Sequence, residues 1–594
     1  MEKRWNLEKL FPAIDSEEFK STKEEFIGKL EVLSDWEPAD NKSNQEIAED
    51  FIEDMQEFYW LITLLMAYLR LEVSVDARNQ QALKLIDELE KESVKITAPR
   101  VKFMLWLQEA VSQEEDISGF VDGSELLEEH QFVLEELLEE SQYLLSEEEE
   151  VLVAELKRTG SSAWTKLQQK LTSTLKVEIE LDGEEQELPL SVVRNLYHKP
   201  DPEVRKTAYE AELAAYDKID ESVAAALNGI KGEVLTVTEK RGFDEPLDET
   251  LVNSRMDKET LDAMLEAMKN NLPAFHDFYK TKAKVLGHDN GLPFYDIFAP
   301  LGEVEMEFSY EEAKDFIVKN IREFSDEMAD LYEEAFNNNW IDAEPRDGKR
   351  GGAFCYNINP IEESRILSNF NGSFSDMTTL AHELGHAYHG YCLSGESILN
   401  TDYPMPLAET ASIFSETIVT NAALQEASED EQFVILENSI TGSGQVIVDI
   451  YSRFLFESRL FEARKNASLS VDDLKEMMVE AQKDAYGDSL DHEYLHPSMW
   501  INKSHYYSAG NNYYNFPYAF GLLFGLGVYA LYLKGEDDFL NKYNELLRAT
   551  GQKKALGVAE MVGIDLHDPG FWEGSLEVIK KDIAKFIELS DNKI

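Results

Sequence analysis

Apolar residues recur every three or four positions, on a glutamate- and lysine-rich background, through residues 50–73, 125–145 and 256–286. A period near 3.6 gathers such residues onto one stripe of a helix, so each segment predicts an amphipathic helix and the chain reads as mainly α. Ser146, followed by Glu147, Glu148, Glu149 and Glu150, reads as an N-cap with acids in the first turn, where the helix dipole favours them. One hairpin is signalled: VEIELDGEEQELPL alternates from Val177 to Leu181, turns at Asp182-Gly183 and returns to Leu190. It sets the expected boundary between an N-terminal helical lobe, 1–185, and a larger domain, 186–594. Two further strands, 353–358 and 365–370, are expected between the turn formers Gly351, Gly352, Asn371 and Gly372. No fixed-period repeat is visible.

Acidic residues number 117 against 56 basic ones, a formal charge of −61. A surface of that sign repels nucleic-acid phosphates and anionic lipid heads, so neither is an expected partner. The excess reads first as solvated helix faces, as in a salt-adapted protein, and second as attraction for cationic substrates. Two cysteines, Cys355 and Cys392, make no disulfide framework and no C-x-x-C pair. The stretch MEKRWNLEKLFPAID lacks the apolar core of a signal peptide, and no run approaches the ~18 apolar residues of a membrane span. A cytoplasmic monomer is expected.

Within TLAHELGHAYHG, His382 and His386 are four residues apart and project from one helix face. Two neutral imidazoles so placed supply two corners of a zinc tetrahedron. Glu383, about a third of a turn away, can reach a water beside the ion without ligating it, which is the physical content of H-E-x-x-H. Ser375 and Asp376 are candidate caps for a helix from Met377 to about Leu393, and Leu384, Ala387 and Tyr388 predict that much of its surface is buried. A catalytic site needs a third protein ligand. The following segment, PLAETASIFSETIVTNAAL, offers Glu409 and, two turns on, Glu416. Glu409 reads as the ligand, Glu416 either as an acceptor for one histidine or as a solvated helix glutamate. His389 points elsewhere and reads as a packing or hydrogen-bonding residue.

ILSNFNGSFSDMTTLAHELGHAYH followed by AETASIFSE resembles the thimet oligopeptidase and oligoendopeptidase F family of zinc metallopeptidases, its oligoendopeptidase F branch above all. WNLEKLFPAIDSEEF, SEEEEVLVAELKRTGSSAW and HYYSAGNNYYNFPYAFG extend the likeness over most of the chain. The resemblance implies a two-lobed helical ellipsoid with a deep substrate channel, a zinc ion at its floor and a small β-sheet next to the zinc helix. It also implies one zinc per chain on His382, His386 and Glu409, with Glu383 as general base. Residues 186–594 would then be the catalytic domain, and short unstructured oligopeptides the substrates.

In SHYYSAGNNYYNFPYAFGLLFG the resemblance assigns His505 and Tyr514 to the developing oxyanion and Tyr518 to substrate; Pro517 can open the apolar helix that follows. The spacing does not reproduce every tyrosine of the thimet branch, and Tyr506, Tyr507 and Tyr513 equally suit aromatic packing. The strand at 365–370 could pair its edge with an extended peptide through main-chain bonds. The function read from all this is a zinc-dependent oligoendopeptidase. A zinc carboxypeptidase of similar helical build and a catalytically silent peptide-binding protein stay open; a calcium module does not, for want of a D-x-D-x-D-G loop.

Overall fold

The computed structural model of the chain describes residues 3–114, 116–302, 306–535 and 538–593. Helices dominate it, and the strands form one two-stranded and one three-stranded sheet. In chain order the helices used below are α1 (Asn44–Val75), α2 (Ser161–Thr174), α3 (Asp220–Arg241), α4 (Lys258–Val285), α5 (Phe374–Cys392), α6 (Thr410–Glu426), α7 (Ile450–Arg464), α8 (Phe516–Leu533) and α9 (Pro569–Ser590). The strands are β1 (Lys176–Leu181), β2 (Glu184–Pro189), β3 (Ile341–Asp342), β4 (Phe354–Ile358) and β5 (Glu363–Leu367).

The residues pack into two units, each discontinuous in sequence: 1–144, 305–423 and 535–563 form one, and 145–304, 424–534 and 564–594 the other. The position 185/186 falls inside β2, and neither unit begins or ends there.

The first unit is built on a helical core. Ser43 and Glu46 form a capping box that starts α1, and Phe51, Phe58, Leu65 and Leu69 line its buried stripe. Phe103 stacks on Phe51 at 3.8 Å, and Phe26 and Leu30 of the helix Glu17–Ser34 join the same core. The sequence pattern predicts one helix over 125–145; instead Glu125–Glu129 and Gln131–Ser141 meet at His130, whose backbone leaves helical geometry. Its buried ring takes the Leu126 carbonyl at 2.8 Å, Ser397 Oγ at 2.7 Å and Gln56 Nε2 at 2.9 Å, bonds that a straight helix would not bring together.

Three strands, in order β3-β5-β4, complete this unit. β4 runs antiparallel to β5, with Cys355 opposite Ile366 and Asn357 opposite Ser364. The strand expected at 365–370 is displaced: it ends at Leu367, and it lies in the centre of the sheet rather than at an edge. The edge is β4. Its residues alternate as a strand demands. Ile358, Phe354 and Tyr356 pack on the α1 core, while Asn357 turns to α5 and donates to the His386 carbonyl at 3.2 Å.

In the second unit, β1 and β2 pair from Lys176 opposite Pro189 to Leu181 opposite Glu184. Asp182 and Gly183 both take positive φ, 55° and 78°, as a two-residue hairpin turn requires. α4 lies on α9, with Phe278 and Phe586 rings 5.0 Å apart. The helix Glu429–Gly444 continues through a π turn at Gln445–Asp449 into α7. Buried ion pairs join distant segments here: Lys231 with Glu457 at 2.7 Å, Lys282 with Glu437 at 2.5 Å and Arg205 with Asp296 at 2.6 Å.

Contrary to the sequence expectation, α1 and α8 are each long and apolar enough to cross a membrane by length and composition alone. Of α8's apolar window 72% is buried inside the protein, which accounts for its composition as an interior helix.

Candidate metal centre

α5 begins at Phe374, three residues before the expected Met377. Its cap is Ser373, whose hydroxyl accepts the Asp376 amide at 3.1 Å. The Asp376 carboxylate in turn accepts the amides of Asn371, Gly372 and Ser373 at 2.9, 3.0 and 3.1 Å. This capping box, which the Ser375-Asp376 pair obscured in the sequence, fixes how the chain enters the helix. Leu380, Ala381, Leu384, Ala387 and Tyr388 are buried, so α5 is enclosed on most sides, as expected.

α6 lies directly against it. Gly385 leaves room for this: a Cβ there would stand 2.5 Å from the Ala411 carbonyl oxygen and 2.6 Å from Ser412 Cα. Ser415 Oγ donates to the Ala381 carbonyl at 2.7 Å and pins the same contact. Glu409 occupies the junction between the short turn Met405–Ala408 and α6, and its Oε2 accepts Ser412 Oγ at 2.8 Å.

Those contacts bring one ligand atom each of His382, His386 and Glu409 within 4.8 Å of one another. Glu409 Oε2 lies 3.2 Å from His382 Nε2 and 3.5 Å from His386 Nε2. On the other side of the ring, His382 Nδ1 meets Glu416 Oε2 at 3.0 Å. Of the two readings left open for Glu416, the acceptor is the one the geometry supports. Burial opposes a charge on His382, yet Glu409 and Glu416 outweigh it and hold the ring's pKa up at about 10. For His386 burial and the neighbouring His382 prevail, bringing it down to about 4. Glu409 is held at about 2: burial works against the anion, and the two imidazoles overcome it.

Glu383, one residue along α5, is 6% exposed. Burial, with the charges of Glu409 and Glu416, lifts its pKa to about 7 against the pull of His382. The Cys355 backbone N–H, close to the carboxylate, also works against that rise. β4 thus lies beside the centre, as the resemblance implied for the small sheet, but the particular contacts of Cys355 and Asn357 are ones that sequence reasoning missed. Burial pushes the Cys355 thiol well above its ordinary range, so it is an inert neighbour.

His389 turns away from the cluster, as its position predicts. It is fully buried, its Nε2 meets Thr550 Oγ1 at 2.8 Å, and it stacks on Tyr403 with ring centroids 4.1 Å apart.

The second unit carries the tyrosine-rich segment, and there His505, Tyr514 and Tyr518 form one group. His505 and Tyr514 stack at 6.1 Å, and the Tyr514 and Tyr518 hydroxyls are 3.0 Å apart. Burial, followed by the charges of Arg453, Lys503 and Lys231, lowers the His505 pKa to about 3, so the ring is neutral at pH 7. Tyr506, Tyr507 and Tyr513 are buried; Tyr506 packs on Phe456 and Tyr513 on Phe461, which makes them core residues. Pro517 lies in the first turn of α8, as expected.

The pattern of peptidase family M3 matches residues 195–578, and an oligopeptidase F pattern matches residues 112–176. Oligopeptidase PepF of Bacillus subtilis is 25% identical over 608 residues, spanning 99% of this chain and 87% of that protein. Among solved structures, a candidate peptidase from Chlamydophila abortus superposes with a TM-score of 0.82 at 21% identity, covering 99% of this chain and 98% of that one. Oligoendopeptidase-F from Enterococcus faecium gives a TM-score of 0.70 at 18% identity, over 97% and 98% of the respective chains.

Proposed function

The chain belongs to peptidase family M3, and from that premise we propose that it is a zinc-dependent oligoendopeptidase that hydrolyses internal bonds of short, unstructured peptides. The observation that carries the reading is the convergence of His382, His386 and Glu409 beside a buried Glu383 on the same helix. Two imidazole nitrogens and one carboxylate oxygen are a donor set suited to zinc with a position left for substrate. The Glu416 carboxylate behind His382 fits the same purpose, because it orients the ring and strengthens its basicity. When bound, zinc supplies Lewis acidity to water and to the peptide carbonyl.

The chain's own residues do the rest. Glu383, with its pKa near neutrality, accepts a proton as water attacks the carbonyl and delivers it to the leaving amine. His505, neutral at its nitrogen, and Tyr514 are assigned hydrogen bonds to the developing oxyanion, and Tyr518 a contact with substrate; their grouping through stacking and the 3.0 Å hydroxyl contact supports treating them together. The reading includes a cytoplasmic monomer. The free thiols of Cys355 and Cys392 support a reducing compartment, and cell fractionation with light scattering tests both points.

The deciding experiment uses a doubly blocked, internally quenched peptide of about eight residues, before and after chelation and zinc restoration. Internal cleavage that returns with zinc and disappears in Glu383→Gln is the expected result. Failure to cleave blocked peptides while trimming free C-termini would instead identify a carboxypeptidase.

A further inference from the structure

β4 has a direction that can be read from its partner. Ile366 and Ser368 send their amides to Trp340 and Asp342, on the β3 side of β5. Residues opposite each other in an antiparallel pair either exchange hydrogen bonds or both turn outward. Cys355, opposite Ile366, and Asn357, opposite Ser364, therefore turn their backbone groups to the outer edge of the sheet. β4 lies against α5, where Asn357 reaches the His386 carbonyl and Cys355 is a neighbour of Glu383, so a peptide lying along the β4 edge would pass Glu383. Its side chains would alternate between the α5 face and the face of Tyr356.

On the Tyr356 face there is a cavity of about 420 Å³. Ile62 and Met66 of α1, Val94 and Tyr356 give it an apolar lining, and Arg70 and Glu90, paired at 3.2 Å, stand beside them. Building on the oligopeptidase reading above, we infer that this cavity is a specificity pocket for an apolar side chain of the substrate, at the residue opposite Tyr356 of a peptide added to the β4 edge. That residue is adjacent in the peptide to the one that passes Glu383. The occupant follows from strand pleating and from the lining: a Leu- or Phe-sized group removes apolar surface from water there, whereas an acid meets no free cation in the paired Arg70.

The test is a set of doubly blocked, quenched peptides that differ at one position at a time, carrying Gly, Leu, Phe or Asp, assayed with the zinc-loaded full chain. One position near the cleaved bond should favour Leu and Phe over Gly by roughly tenfold or more in kcat/KM. Val94 is 68% exposed, so Val94→Glu is compatible with folding. Val94→Glu and Thr63→Trp, which charges and fills the cavity respectively, should bring the Leu-to-Gly ratio at that position towards one, while Val32→Glu, an exposed site on another helix, should not. An unchanged ratio in both pocket variants, an equal loss for Leu and Gly peptides, or cleavage without any such preference overturns the pocket and leaves the enzyme reading intact. A wild-type chain that cleaves none of the peptides, with or without zinc, overturns both.

Discussion

Gly385→Ala tests how closely α5 and α6 must approach for the metal centre to exist. The added methyl would lie 2.5 Å from the Ala411 carbonyl oxygen and 2.6 Å from Ser412 Cα. Both obstacles are backbone, so no side chain can rotate away. Moving the Ser412 contact from 2.6 Å to the 3.4 Å of ordinary packing opens the helix pair by about 0.8 Å. Metal ligation tolerates about 0.2 Å in each ligand distance. His382 and His386 flank the methyl on one helix, and Glu409 immediately precedes the other. The strain of overpacking is about 1–3 kcal/mol, and a ligand displaced by several times its tolerance should weaken zinc binding at least as much as loss of an outer partner, about 10- to 100-fold. Competition with a chromogenic chelator measures the affinity, and far-UV circular dichroism checks that the helices persist. An alanine variant that is folded and holds zinc within threefold of the parent would refute the argument that this contact sets the ligand geometry.

Glu416→Gln keeps the shape but weakens the acceptor at His382 Nδ1, and zinc affinity should fall about 10- to 100-fold while peptide binding to the zinc-loaded protein changes less; chelator competition and inhibitor titration separate the two. In the metal-free protein His382 is protonated up to about pH 10, whereas His386 is already neutral and Glu409 already ionised, so zinc binding near pH 8 should release about one proton from the ligands. Affinity should accordingly rise with pH below 10; calorimetry in buffers of different ionisation enthalpy gives the proton count, and a count near zero would contradict it. Lys231→Met leaves the buried Glu457 without its cation and should destabilise the second unit by about 3–5 kcal/mol. Hydrogen exchange should show the loss concentrated in α3 and α7, and uniform protection there would count against it.

The metal centre was largely legible because its chemistry is local. His382, Glu383 and His386 share one helix, and a four-residue spacing determines a face whatever surrounds it. Glu409 was within reach of a return helix, but the reason it arrives, the close contact at Gly385, depends on backbone atoms 26 residues away. Errors arose where two local signals competed or where partners were remote. Ser375 and Ser373 both precede acids, and only the Asn371 and Gly372 amides decide for the second. The centre of the sheet and its edge were confused because nothing within β4 or β5 marks its place in the order, and only pairing with Ile341 and Asp342 makes β5 central. His130 breaks a periodic segment through a bond to Ser397, 267 residues on. The interleaved units have no sequence marker, since no composition shift accompanies 144/145, 304/305 or 534/535.

That interleaving has a consequence for synthesis. The unit that holds the histidine helix includes residues 535–563, where Asn544 bonds Tyr388 and Thr550 bonds His389. A ribosome adding about 5–20 residues per second needs roughly 20–80 s to go from residue 144 to residue 535. Throughout that interval the first helices are made but their unit lacks its last segment. His382 and His386 are translated well before residues 535–563, so a nascent chain carries the candidate ligands while Tyr388 and His389 of the same helix still lack their partners Asn544 and Thr550. Completion of the unit that holds the histidine helix is thereby deferred until residues 535–563 have been made, and the order of the chain acts as a timer on its assembly.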